Sequence, residues 1–132
     1  MNLVLSLTER CNLRCTYCYY KVSHETRSLV MSNDIMEAAI RLAFERTLSL
    51  NQRFLNITFF GGEPLLCMDS IRRGVELAKG LVHERFGEDV LLGPPTSNTT
   101  SPKFRLRFAV NTNATLLNED IIEYLKREKF RI

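Results

Sequence analysis

Apolar residues recur with two different periods along this chain, and the switches between them divide it into strands and helices. Leu3, Leu5 and Leu7 alternate with Val4, Ser6 and Thr8, the two-residue period of a strand that buries one face. From Ser32 the period lengthens. Met36, Ile40, Ala43 and Leu48 keep roughly helical spacing, Ser32 is a capping residue, and Asp34 and Glu37 lie near the positive end of the helix dipole, so a helix is predicted to about Ser49. Leu55, Ile57 and Phe59 then alternate with Asn56, Thr58 and Phe60, a second strand that stops at Gly61-Gly62. Asp69 reads as the cap of a second helix, with Ile71, Val75, Ala78 and Val82 on one face and an end near Gly87. Phe104, Leu106, Phe108 and Val110 form the clearest alternation, and a third helix opens at Asn118 with Glu119 and Asp120 in its first turn.

Between the second helix and the third alternation, residues 87–103 read GEDVLLGPPTSNTTSPK, a composition expected of a surface insertion without a core of its own. What remains is strand–helix three times over. That pattern predicts an α/β fold with a parallel sheet, open or curled toward a barrel, whose ligand sites lie beyond the carboxyl ends of the strands. The cysteine segment, the Gly61-Gly62-Glu63-Pro64 turn and Asn111-Thr112-Asn113 all fall at that edge. If the leucines and phenylalanines face the helices, Ser6, Thr8, Asn56, Thr58, Arg105, Arg107 and Asn111 face the other way. That surface is too polar for a closed, packed barrel core and suits a wide, wet lumen. The sequence stops at Ile132, after a helix that leads toward a fourth strand, so the third strand is expected to leave its far edge unpaired.

Length and composition narrow the class without deciding it. With 132 residues, 45% hydrophobic and 25% charged, the chain has the proportions of one soluble globular domain. The net charge of +3 comes from scattered Lys and Arg, which gives no reason to expect nucleic acid. No apolar run approaches the roughly 20 residues that span a bilayer, and the start lacks a secretion signal, so no membrane and a cytoplasmic location are expected.

Three of the four cysteines lie within one short segment, Cys11-Asn12-Leu13-Arg14-Cys15-Thr16-Tyr17-Cys18, which in a reducing compartment points to metal rather than disulfides. Thiolates suit iron–sulfur or zinc. A four-iron cluster held by three cysteines keeps one iron open, whereas structural zinc wants four closed ligands; His24 could be the fourth, in which case the chain is a zinc-binding interaction module on Cys11, Cys15, Cys18 and His24. Cys67, alone in an apolar run, reads as a packed thiol. Gly61 and Gly62 suit a backbone that approaches a ligand or takes positive φ, and also a plain strand-ending turn. Asn111, Thr112 and Asn113 can hold a ligand or simply build a helix entry.

CNLRCTYCYY at 11–20 resembles the CxxxCxxC signature of the radical S-adenosylmethionine superfamily, including the aromatic Tyr17 before the last cysteine. FFGGEPLL at 59–66 is similar to that family's second motif, and NTNATLL at 111–117 to its TNGTLL segment. Ala114 replaces the usual glycine there, which tells against positive φ at that place. The resemblance implies the first three β/α units of a partial (β/α)6 TIM-like barrel, the N-terminal half of a radical S-adenosylmethionine core. It further implies that Cys11, Cys15 and Cys18 bind a 4Fe-4S cluster whose open iron is chelated by the amino and carboxylate groups of S-adenosylmethionine. Reductive cleavage then yields a 5′-deoxyadenosyl radical that takes hydrogen from a substrate. Tyr17, Gly61, Gly62, Glu63, Pro64, Asn111 and Asn113 are the implied cofactor-binding residues, with Glu63 in or near the contact to the methionine amino group; no residue is assigned to the hydrogen transfer itself.

GGEPLL together with TNATLL is most similar to the branch of SPASM-type anaerobic sulfatase-maturing enzymes and peptide maturases. That implies a peptide or protein side chain as substrate and flavodoxin or ferredoxin as electron donor, with a small-molecule reaction as the alternative. Two expectations follow on this reading. The 132-residue chain alone should not turn over, and a side chain at Gly62 should disturb cofactor binding while leaving the cluster in place.

Overall fold

The computed structural model describes residues 1–18, 29–87, 90–92 (backbone only) and 103–132. His24 and most of the 87–103 stretch lie outside the described residues. Along the chain run β1 (Asn2–Thr8), α1 (Asn33–Ser49), β2 (Phe54–Gly61), a 3-10 turn (Pro64–Cys67), α2 (Met68–Phe86), β3 (Val90–Leu92), β4 (Phe104–Val110) and α3 (Glu119–Arg127). The strands form one parallel sheet in the order β1-β2-β4-β3, with β1 and β4 on either side of β2.

The alternation read from the sequence is the alternation of burial. Leu5, Leu7, Leu55, Ile57, Phe59, Phe104, Leu106, Phe108 and Val110 are buried in one core with Met36, Ile40 and Phe44 of α1, Ile71, Val75, Ala78 and Val82 of α2, and Tyr124 and Leu125 of α3. Burying each large apolar side chain here contributes roughly 1.5–3 kcal/mol, which is what selects this register over a one-residue slip. On the opposite face Val4 and Ser6 are exposed, and Asn56, Thr58, Arg105 and Arg107 are half-buried. Ser32 caps α1 by accepting from Ile35 N at 3.3 Å, and Asn118 caps α3 by accepting from Ile121 N at 2.9 Å, as their residue types predict.

Two expectations about single residues need correction. Asp69 does not cap α2 but lies in its first turn; the helix is entered through the 3-10 turn, where Pro64 stands at the first position and Glu63 caps through its side chain. Thr8 is buried rather than part of the polar face, because the pairing with β2 shifts register between Ser6 and Thr8 and sets Thr8 against Gly61.

The far edge of the Phe104–Val110 strand is not bare. Val90–Leu92 pairs with Phe104–Leu106 along its first half, and Arg131 bridges Ala109 on its second, with Val110 N donating to Arg131 O and Arg131 N to Phe108 O, both at 2.9 Å. The stretch expected to be a surface insertion thus contributes a strand. Phe130 fixes the start of the other segment by packing on Phe59, Phe108 and Tyr124, with ring centroids 5.6–6.1 Å apart.

Candidate functional site

Three loops leave the carboxyl ends of adjacent strands: residues 9–18 after β1, 61–64 after β2 and 111–115 after β4. The parallel pairing alone brings them side by side, and hydrogen bonds then lock them together. Gly62 N donates to Thr8 O at 2.7 Å and Glu63 N to Arg10 O at 2.8 Å, so the turn continues the β1–β2 ladder into the cysteine loop. Thr8 Oγ1 accepts from Arg10 N at 3.0 Å and starts that loop with a tight bend.

Both glycines are required by this contact. Gly61 has φ +138°, and a Cβ there would lie 2.3 Å from Thr8 O. A Cβ on Gly62 would lie 2.3 Å from Arg10 O and 2.7 Å from Glu9 O. The space that Gly62 leaves open is therefore filled by the chain's own cysteine loop. A side chain at Gly62 is therefore expected to press on the cysteine loop as well as on the cofactor, since Arg10 immediately precedes Cys11.

Glu63 is wholly buried, and its carboxylate is taken up by hydrogen-bond donors. Oε1 accepts from Leu65 N at 2.9 Å and from Thr112 Oγ1 at 2.8 Å, and Oε2 accepts from Asn113 N at 2.8 Å. One side chain thus caps the 3-10 turn and fastens the third loop to the second. Sequence reasoning placed Glu63 at the cofactor and missed this clamp; an acid directly before Pro at a helix entry was the available signal.

The third loop closes back on the first. Asn113 Nδ2 lies 3.7 Å from Cys11 Sγ and donates to Asn12 Oδ1 at 3.0 Å, while Asn12 Nδ2 donates to Thr115 Oγ1 at 2.7 Å. Asn113 Oδ1 accepts from Thr115 N at 3.0 Å and Thr115 Oγ1 at 2.6 Å. Asn111 is exposed, and its N donates to Phe59 O at 3.1 Å.

Ala114 has φ +65°, so the left-handed backbone is kept although glycine is not. An alanine there costs roughly 1–2 kcal/mol, and glycine's greater unfolded-state entropy returns part of that. Ala114→Gly is therefore expected to stabilise the fold by about 0.5–1 kcal/mol, read as a higher denaturant midpoint at unchanged m-value. An unchanged or lower midpoint would show that the position carries no strain.

Cys11, Cys15 and Cys18 are free thiols of intermediate exposure, and Cys18 N donates to Cys15 O at 3.1 Å, folding the CxxC segment into a turn. Leu13 N donates to Cys11 Sγ at 3.4 Å. Tyr17 is 88% exposed; its hydroxyl pKa is raised by hydrogen bonding to Cys15 and by the Cys15 charge, with smaller contributions from desolvation and the Cys18 charge. Cys67 sits apart, packed against the core, and burial pushes its thiol pKa up against the opposing charge of Arg10. Among the described residues, no three His, Cys, Asp or Glu side chains are already gathered as a metal site. The donor set fits an iron–sulfur cluster nonetheless: three soft ligands on one loop, N–H groups aimed at a sulfur, and the Glu63 carboxylate occupied elsewhere.

Residues 5–132 match the radical SAM superfamily, and the chain belongs to that family. It is 28% identical over 131 residues to an uncharacterised protein of Methanocaldococcus jannaschii, covering 99% of this chain and 36% of the relative. A cysteine-type anaerobic sulfatase-maturating enzyme of Clostridium novyi is 25% identical over 98% of this chain and 30% of its own length. The radical SAM cyclopropyl synthase TigE of Paramaledivibacter caminithermalis is 29% identical over 93% of this chain and 24% of its own. The chain spans about a third or less of the length of these relatives. Among solved structures, an anaerobic sulfatase-maturating enzyme with bound AdoMet and a Cp18Cys peptide shares the fold, with a TM-score of 0.66 at 23% identity over 98% of this chain and 29% of that one. No helix among the described residues is long and apolar enough to cross a membrane.

Proposed function

We propose that this chain forms the cluster- and cofactor-binding part of a radical S-adenosylmethionine enzyme, with Cys11, Cys15 and Cys18 as the three protein ligands of a 4Fe-4S cluster. The observation that carries the reading is the locking of the cysteine loop onto the Gly61–Pro64 turn through Gly62 N and Glu63 N. When bound, cluster and S-adenosylmethionine together supply one-electron cleavage of a sulfonium bond and a hydrogen-abstracting radical.

The chain's residues do the positioning. The thiolates hold the cluster at the strand ends, and the Gly61-Gly62-Glu63-Pro64 turn, rigid against Arg10, offers a fixed surface to the methionine amino group. Tyr17, Asn111 and Asn113 border the same space. Glu63 acts chiefly through what it holds, because three donors already occupy its carboxylate. The polar inner face with Asn56, Thr58, Arg105 and Arg107 suits a large hydrated substrate. A peptide side chain is the substrate class we favour, on the likeness to sulfatase-maturating enzymes, with flavodoxin or ferredoxin as donor and the cytoplasm as the setting.

Anaerobic reconstitution with iron and sulfide tests the reading. The expected product is a brown, oxygen-sensitive protein with about four irons per chain that binds S-adenosylmethionine. A colourless, air-stable protein holding one zinc would replace it with the interaction-module reading.

A further inference from the structure

Asn113 stands among the residues that family resemblance gives to S-adenosylmethionine, yet its hydrogen bonds leave it nothing to offer that ligand. A carboxamide has two donor hydrogens and two acceptor lone pairs. Here Oδ1 accepts from Thr115 N and Thr115 Oγ1, and Nδ2 is directed to Asn12 Oδ1 and Cys11 Sγ. The two Thr115 donors also fix which end of the amide is oxygen, so the nitrogen must be the atom that meets the sulfur. The backbone is held as firmly, by Asn113 N on the buried Glu63 carboxylate. All four valences of the side chain are spent inside the protein, and one of them is spent on a cysteine.

We infer that Asn113 is a positioning residue for the cluster rather than a ligand of S-adenosylmethionine: its amide hydrogen bonds the Cys11 thiolate and raises the reduction potential of the cluster. The inference rests on the reading of Cys11 as a cluster ligand. Reduction adds one electron and increases the negative charge on the cluster and its thiolates. A donor aimed at a ligand sulfur stabilises the reduced form more than the oxidised one. The backbone N–H of Leu13 already contributes one such bond to Cys11 Sγ, and Asn113 supplies a second from a different strand end. Because Glu63 sets the place of Asn113, the second turn is coupled to the redox poise of the first loop without touching the metal.

The test is a reductive titration with dithionite of the reconstituted protein, followed by electron paramagnetic resonance and without added S-adenosylmethionine. Asn113→Leu keeps the size and removes the donor. It is expected to make reduction about tenfold harder, which for a one-electron couple is a 59 mV lower potential, while S-adenosylmethionine affinity stays within about twofold. Thr115→Val serves as the control: it removes the hydroxyl that donates to Asn113 Oδ1 and accepts from Asn12 Nδ2 but leaves the Asn113 donor and the Thr115 N bond to Oδ1, and its potential is expected to match the unaltered protein. An unchanged potential in Asn113→Leu, or an equal shift in Thr115→Val, overturns the inference, as does weakened cofactor binding at unchanged potential. If Asn113→Leu takes up no cluster, the isosteric Asn113→Asp is titrated instead, and a potential no lower than that of the unaltered protein overturns the inference. Failure of the unaltered protein to form any cluster would instead strike at the proposed function.

Discussion

Replacing any one of Cys11, Cys15 or Cys18 by alanine is expected to reduce the iron retained after anaerobic reconstitution from about four per chain to less than half of that. Cys67→Ala should retain the full amount. Two thiolates on a short loop cannot hold a four-iron cluster against loss to solvent, and the free energy of cluster binding is what would close this loop around a single centre. Cys67 differs in kind, being packed against the core at the end of the 3-10 turn with a pKa raised by burial, so its thiolate is disfavoured by the same surroundings that stabilise its packing. Iron and sulfide analysis of the four variants, purified without air, decides the matter. A normal iron content in Cys15→Ala would remove the ligand assignment, and iron loss in Cys67→Ala would mean that the ligand set had been chosen wrongly.

The sequence made the strands legible where burial repeats every second residue. Leu55, Ile57 and Phe59 are fully buried, with half-buried Asn56 and Thr58 between them, because β2 has a strand on each side and helices on one face only. Three features were hidden for a common reason, namely that each depends on a partner distant in sequence. Val90–Leu92 is an apolar triplet among Gly, Pro, Ser and Thr, and only pairing with Phe104–Leu106 makes it a strand. Thr8 looked like a polar-face residue until the register shift against Gly61 buried it. Ala114 was read from side-chain preference, yet the bonds from Ala114 N to Thr112 Oγ1 and from Leu117 N to Ala114 O hold its backbone left-handed. At the site, spacing identified Gly61 and Gly62 as special, but could not tell a ligand from a neighbouring loop as the thing they make room for. The distance from a Gly62 Cβ to Arg10 O answers that in favour of the loop.

Glu63→Gln is expected to loosen the second and third loops together, with a larger effect than its single-atom change suggests. Oε1 and Oε2 both accept from backbone N–H groups, Leu65 N on one and Asn113 N on the other. A glutamine must turn its NH2 toward one of these two donors, whichever way it is placed, and no water can relieve the clash at a side chain with no exposed surface. Leaving one buried donor unpaired and weakening two charge-assisted bonds costs about 2–4 kcal/mol. Part of this appears as lower global stability and part as local opening of the 61–66 turn and the 111–115 loop. Hydrogen exchange should therefore show the amides of Leu65 and Asn113 losing protection well before those of the β2 core in Glu63→Gln. S-adenosylmethionine binding to the reconstituted variant should fall by at least tenfold. Gly62→Val provides the complementary case. Its side chain would drive into Arg10 O, so cluster and cofactor should be lost together, whereas Glu63→Gln keeps the cysteine loop's own contacts to Thr8 and most of its iron. Unaltered protection of Asn113 N–H in Glu63→Gln would mean that the carboxylate is not what joins the loops, and a full iron content in Gly62→Val would mean that the cysteine loop yields more easily than its backbone contacts imply.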